Sequence, residues 1–211
     1  MTSRIALAVA AALSCGGCAL FGTELRSIPT VGPEISAVYA CPSSDVHQAP
    51  PAGPERCFSV QGVSIEVEAK NAEPVAGAIG PFPLVPFFHQ RRSGTEPLTI
   101  ELGFKTDEPY AFSPWDVSLQ TDQGVTVRVS GVSTNVRYGY GVHTVAIDPR
   151  DAGARTLQTH KWSHFFLTFA KHIAPDHSFA LTLHFVAPDG ADVRIPIEFK
   201  KGKVSYLWTI P

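Results

Sequence analysis

Gly and Pro interrupt this chain 17 and 18 times in 211 residues, too often for long helices to survive between them. Between the interruptions, apolar residues alternate with polar ones at the two-residue period of a half-buried strand. Val60, Val63, Ile65 and Val67 predict one strand over 59–69, and Leu98, Ile100, Leu102 and Phe104 predict a second. Val117–Gln120 and Val125–Val129 flank Thr121-Asp122-Gln123-Gly124, which reads as a hairpin turn with Gly free to take a positive φ. Val142–Ile147 is another strand, and the apolar run Phe165–Phe169 suits a strand buried on both sides. Phe179–Phe185 and Val193–Phe199 form a hairpin on Asp189-Gly190. Lys200-Lys201-Gly202-Lys203 reads as a solvated turn before a last strand, Val204–Ile210; contact with phospholipid headgroups is its second reading. Asp151–Lys161 lacks alternation and is expected to hold a short helical turn. The fold expected is all-β: an antiparallel immunoglobulin-like β-sandwich with long Pro-rich loops.

Composition narrows the function classes. A formal charge of −2 leaves no basic footprint for nucleic acid. With 44% hydrophobic and 17% charged residues, the chain can bury a core rather than stay disordered. After residue 18 no apolar run approaches the roughly 20 residues of a spanning helix.

Arg4, the apolar stretch Ile5–Leu13 and then Ser14-Cys15-Gly16-Gly17-Cys18 have the build of an export signal. The run into cysteine resembles the lipobox of bacterial lipoproteins, in which the thiol receives a diacylglycerol and the leader is cut just before it. Neither cysteine has Leu three positions back, a departure from the commonest pattern. Cysteine parity selects Cys18, since acylation there removes Cys15 with the leader and leaves an even pair; Cys15 is the alternative. The resemblance implies a lipid-anchored protein, and Ala19 after Cys18 implies the outer membrane, facing the periplasm. The C-terminal stretch, with Pro188-Asp189-Gly190 and Ile195-Pro196-Ile197-Glu198-Phe199, is similar to β-sandwich domains of uncharacterised proteobacterial lipoproteins, a likeness that implies no activity. The domain reading is a signal peptide over 1–17, a tether and cysteine loop over 18–58 that can contribute one strand, and the sandwich over 59–211.

Cys41 and Cys57 bracket an insert too polar to pack alone, and export to an oxidising compartment predicts a disulfide between them. Free thiols or metal ligation with His47 are the other readings. The apolar segment 76–88 holds three prolines that forbid a central strand. It is expected as a buried or edge-covering loop, or else as an exposed loop meeting lipid or a partner through Phe82, Phe87 and Phe88.

His160, His164, His172 and His177 fall within eighteen residues and are the candidate metal ligands, with His143 and His184 nearby. On a helix, His160 and His164 would share a face. On a strand they lie about 13 Å apart, too far to chelate one ion, so solvated or edge histidines are expected. There is no Gly-x-Ser-x-Gly elbow, phosphate loop or Rossmann glycine set. Tyr138-Gly139-Tyr140-Gly141, beside Arg137, is a strand-end loop that could present two rings to a ligand. The functional expectation is a non-catalytic structural or interaction module of the cell envelope, without cofactor, partnered by the membrane and by an envelope protein. The alternative is a periplasmic ligand- or metal-binding protein using the His-rich 160–184 region.

Overall fold

Alternation becomes burial along the strands. Leu98, Ile100, Leu102 and Phe104 are buried, while Thr99 and Glu101 between them and Lys105 after them are half-exposed. The same two-residue rhythm runs through Val63–Ala69, Ser163–Phe169 and Phe179–Val186. In the computed structural model, residues 18–32, 36–37, 57–79, 85–87, 96–138 and 141–210 are described. Their strands are β1 (Cys18–Thr30), β2 (Ser36–Ala37), β3 (Cys57–Val60), β4 (Val63–Ala69), β5 (Glu73–Ile79), β6 (Val85–Phe87), β7 (Leu98–Thr106), β8 (Ala111–Phe112), β9 (Ser118–Thr121), β10 (Thr126–Tyr138), β11 (Gly141–Ala146), β12 (Arg155–Thr156), β13 (Ser163–Phe169), β14 (Phe179–Val186) and β15 (Asp192–Ile210). Two single-turn 3-10 helices, Pro114–Asp116 and Pro149–Asp151, are the only helical elements among the described residues. The second lies at the margin of the segment expected to hold a helical turn.

All named strands pair antiparallel, in one curled sheet whose main path runs β2-β3-β4-β7-β13-β10-β9-β14-β15-β1-β5-β6. The sheet is continuous because β10 serves both halves. Its first residues pair with β9, and from Val129 it pairs with β13 through an irregularity between Val129 and Gly131. Such an irregularity adds twist and lets one strand turn the corner between layers. The two halves then face each other across phenylalanines. Phe104 of β7 lies 4.6 Å from Phe112 of β8 and 5.0 Å from Phe185 of β14, ring centre to ring centre. Phe165 of β13 closes the cluster at 5.2 Å from Phe112. At the far end Phe179 and Phe199 stack at 4.5 Å.

Several expectations are corrected. The strand read over 59–69 is two strands, β3 and β4, reversing through Gln61 (φ 46) and Gly62 (φ 81). Two successive positive φ values make the tight turn whose twist matches a hairpin. The Tyr110 hydroxyl donates to the Gln61 carbonyl at 2.5 Å and pins that turn to the body. Phe165–Phe169 is buried on one side only, with Phe166 and Thr168 half-exposed. Lys200–Lys203 is no turn: it lies inside β15, which continues unbroken for 19 residues. There, a Cβ at Gly202 would collide with Ile28 of the paired β1, so glycine permits that crossing.

Both hairpin expectations hold. Asp122-Gln123-Gly124 joins β9 to β10, and Asp189-Gly190 joins β14 to β15, each with its glycine at positive φ. Residues 18–30 of the expected tether form β1, paired along its whole length with β15. Val85–Phe87 is a three-residue strand at the end of the sheet path, while Phe82 and Phe88 lie outside the described residues. So do Tyr140, Cys15 and Cys41.

Emptying the phenylalanine cluster should be costly. Phe185→Ala is expected to lower unfolding free energy by about 3–5 kcal/mol, and Phe166→Ala on the same criterion by much less. Urea denaturation of both variants measures the contrast, and equal losses would contradict the assigned core.

Candidate functional site

The four candidate metal-ligating histidines go to different places. His160 sits in a turn at φ 61, its Nδ1 3.4 Å from Asp107. His164 is on β13 beside Trp162, with ring centres 6.2 Å apart. The His172 ring meets the Glu96 carbonyl at 3.1 Å, and His177 meets the Asp122 carboxylate at 3.1 Å. Each is thus spent on its own local neighbour. Among the described residues no three His, Cys, Asp or Glu side chains stand close enough to hold a metal ion.

His184, on the solvent side of β14, is drawn into a cluster with two carboxylates and a guanidinium. Strand alternation puts it there, because its neighbours Leu183 and Phe185 point into the core. The β14–β15 register sets His184 opposite Arg194 and Val186 opposite Asp192. The His184 Nε2–H donates to Asp192, whose other carboxylate oxygen accepts from Arg194 Nε at 3.2 Å. On the ring's other side, Nδ1 lies 3.8 Å from the Asp116 carboxylate, carried in by the 3-10 turn Pro114–Asp116. The hydrogen bond from His184, with smaller help from its charge and from Arg194, holds the Asp192 carboxyl below its ordinary 3.8.

Asp116, Ser118, Thr182, His184 and Arg194 line an open groove of about 320 Å³ here. Two hydroxyls, a carboxylate, an imidazole and a guanidinium offer donors and acceptors there. With both ring nitrogens facing carboxylates, His184 joins strand, hairpin and turn. The sequence reading noted His184 but not its partners. Counting outward from the Asp189-Gly190 turn reaches Asp192 and Arg194, whereas Asp116 arrives only through the fold.

A second charged group spans β4 and β7. Burial pulls the Lys70 pKa down, but hydrogen bonds to Glu101 at 2.7 Å and Glu68 at 2.9 Å outweigh it and hold the group above its ordinary 10.5. Asn71 next to it donates to Ser27 Oγ at 2.9 Å and to the Ile173 carbonyl at 3.1 Å, tying β1 to the segment before β14. Cys57 is buried and disulfide-bonded.

Comparison of the chain with family models, with curated proteins and with solved structures finds no match. The site must therefore be read from its own chemistry.

Two pH predictions follow from these pairs. Carboxyl-resolved NMR titration should place Asp192 below 3.8, and His184→Ala should bring it back up towards that value. A lowered carboxyl stabilises the fold above its unfolded value and loses that contribution as pH falls through the folded one. For Lys70 the sign reverses: its contribution is complete below 10.5 and disappears as pH rises through the higher folded value. Lys70 is well exposed, so Lys70→Gln is expected to cost under about 1 kcal/mol at neutral pH. In thermal melts the gap should close in strong alkali.

Proposed function

We propose that the protein is a cell-envelope lipoprotein, acylated at Cys18 and held at the outer membrane facing the periplasm, whose β body is a non-catalytic structural or interaction module. The observation that carries this reading is the coincidence of two features at one residue. Cys18 ends the lipobox-like run, and it is also the first residue of β1, hydrogen-bonded into the sheet opposite Ile210. An acyl group there would join the membrane to the body without a long spacer. Acyl chains in combination give stable anchoring where a single chain gives only reversible binding.

The body's chemistry agrees with a passive role. Its polar cluster is internally paired, with His184 engaged by Asp192 and facing Asp116. The finer fold assignment, an immunoglobulin-like sandwich, belongs to the same proposal. Support for it comes from the two halves of the sheet meeting over Phe104, Phe112, Phe165 and Phe185. We also assign Cys41 as the disulfide partner of Cys57, which would close the polar insert between them.

A second reading, a periplasmic ligand-binding protein, draws on the groove beside His184, which lies within the His-rich region. It calls for a small polar ligand rather than a metal shared among His160, His164, His172 and His177.

Metabolic labelling with palmitate tests the anchor. Label should enter the wild-type chain and the Cys15→Ser variant and be lost in Cys18→Ser. Label retained in Cys18→Ser and lost in Cys15→Ser would move the site, and absence of label from all three would end the lipoprotein reading. Peptide mapping without reduction should recover Cys41 and Cys57 in one linked fragment.

A further inference from the structure

The strand β11 departs from the alternation that governs the core strands. Val142, His143, Thr144, Val145 and Ala146 are all exposed, Val142 at 61% and Val145 at 40%, and the chain is buried again at Ile147. A strand covered on one face would bury every second residue, so neither face of β11 is covered. One of its edges is open as well. β11 pairs with β10 alone, in continuous register from Ser133 opposite Ala146 to Tyr138 opposite Gly141. Just beyond, the Ile147 N–H donates to the Val132 carbonyl at 2.8 Å. Antiparallel strands direct the N–H and C=O groups of successive residues to opposite sides, so those of Val145 and His143 point to β10 as Ile147 does. Val142, Thr144 and Ala146 therefore turn theirs away from β10, where no strand among the described residues meets them.

Natural sheets blunt such an edge with lysine, proline or a bulge. Gly141–Ala146 contains no Lys, Arg, Asp, Glu or Pro, and its register with β10 is unbroken. Open main-chain groups on an edge specify another extended strand as their occupant, and two properties make that strand a second copy of β11. Without formal charge, the edge neither selects a charged peptide nor repels itself. Its outward residues are also evenly spaced about Thr144. A two-fold axis there sets Val142 opposite Ala146 of the second copy and Thr144 opposite Thr144, and each such pair can exchange both backbone hydrogen bonds. An isologous contact requires that self-complementarity.

We propose that β11 is a self-association edge, through which two copies of the chain pair antiparallel about Thr144 and join their sheets. On one face Val142 then lies beside Ala146 of the second copy, and on the other Val145 lies beside its His143, so both exposed valines lose contact with water. A ladder of only six residues falls short of the roughly 1,000 Å² that stable interfaces bury, so the dimer is weak and depends on concentration. This pairing gives the interaction module a partner and rests on that part of the proposed function alone; the lipid anchor plays no role in it.

Sedimentation equilibrium of the purified protein should give monomer at micromolar concentration and a dimer fraction that rises towards millimolar. Over the same range amide exchange at Val142, Thr144 and Ala146 should slow severalfold, while His143, Val145 and Ile147, already bonded to β10, should not change. Thr144→Lys and Thr144→Asp each set like charges face to face and should weaken the dimer severalfold. Mixing the two variants should restore it, because position 144 meets itself in this register, and that recovery separates lost pairing from misfolding. Thr144→Pro removes an outward N–H without breaking the ladder to β10 and should also leave monomer. A protein monomeric at every concentration, a dimer indifferent to Thr144→Lys, or charge variants that fail to restore one another overturns the proposal. So does protection of the outward amides at the lowest concentration, which would assign the edge to another segment of the same chain. Palmitate-labelled protein that stays monomeric would sink the pairing and spare the anchor; unlabelled protein that dimerises through β11 would do the reverse.

Discussion

Everything in this fold depends on phenylalanine rings brought together from both halves of one curled sheet. Phe104 and Phe165 come from β7 and β13, Phe112 and Phe185 from β8 and β14. No local stretch can make that contact, because β7 and β14 are separated in the chain by more than seventy residues. Burial of aromatic area, with roughly 0.5–1.5 kcal/mol more for each favourable ring pair, offsets the entropy of drawing such distant strands together. The bend in β10 is the geometric condition for it, since a flat sheet would leave one half of these rings in water.

Once the core claims one face of each strand, the chemistry is left to the other. His184, Asp192 and Arg194 are outward for the same reason that Phe185, Val193 and Ile195 are not. The resulting cluster is a set of mutual partners on solvent-facing positions, with Asp116 brought in by a single 3-10 turn. It ties the last hairpin to the turn after β8, and its carboxyl and imidazole are committed to each other.

β15 joins β14 to β1 in the sheet. Its first half completes the core beside β14, and from Glu198 to Ile210 it pairs with β1.

Strand positions were legible wherever alternation was strict, as at Leu98–Phe104 and Phe179–Phe185, because a two-residue period leaves one face for the core. Turns were legible where Asp-Gly or a Gly after polar residues stood between such runs. Gln61-Gly62 was missed because no polar run marks it, and Lys200–Lys203 was mistaken for a turn because charge and glycine mimic one; the pairing with β1 is what keeps it extended. The separate fates of the histidines, and the meeting of His184 with Asp116, were closed to the sequence, since local pattern sets which way a side chain points and not what it meets. By itself the sequence determined the all-β class, the two hairpins and the inward phenylalanines, which follow from short-range periodicity and turn chemistry. Only the tertiary structure decided the order of strands, the curl through β10 and the run of β15 past its lysines, because these arise from contacts between residues far apart in the chain.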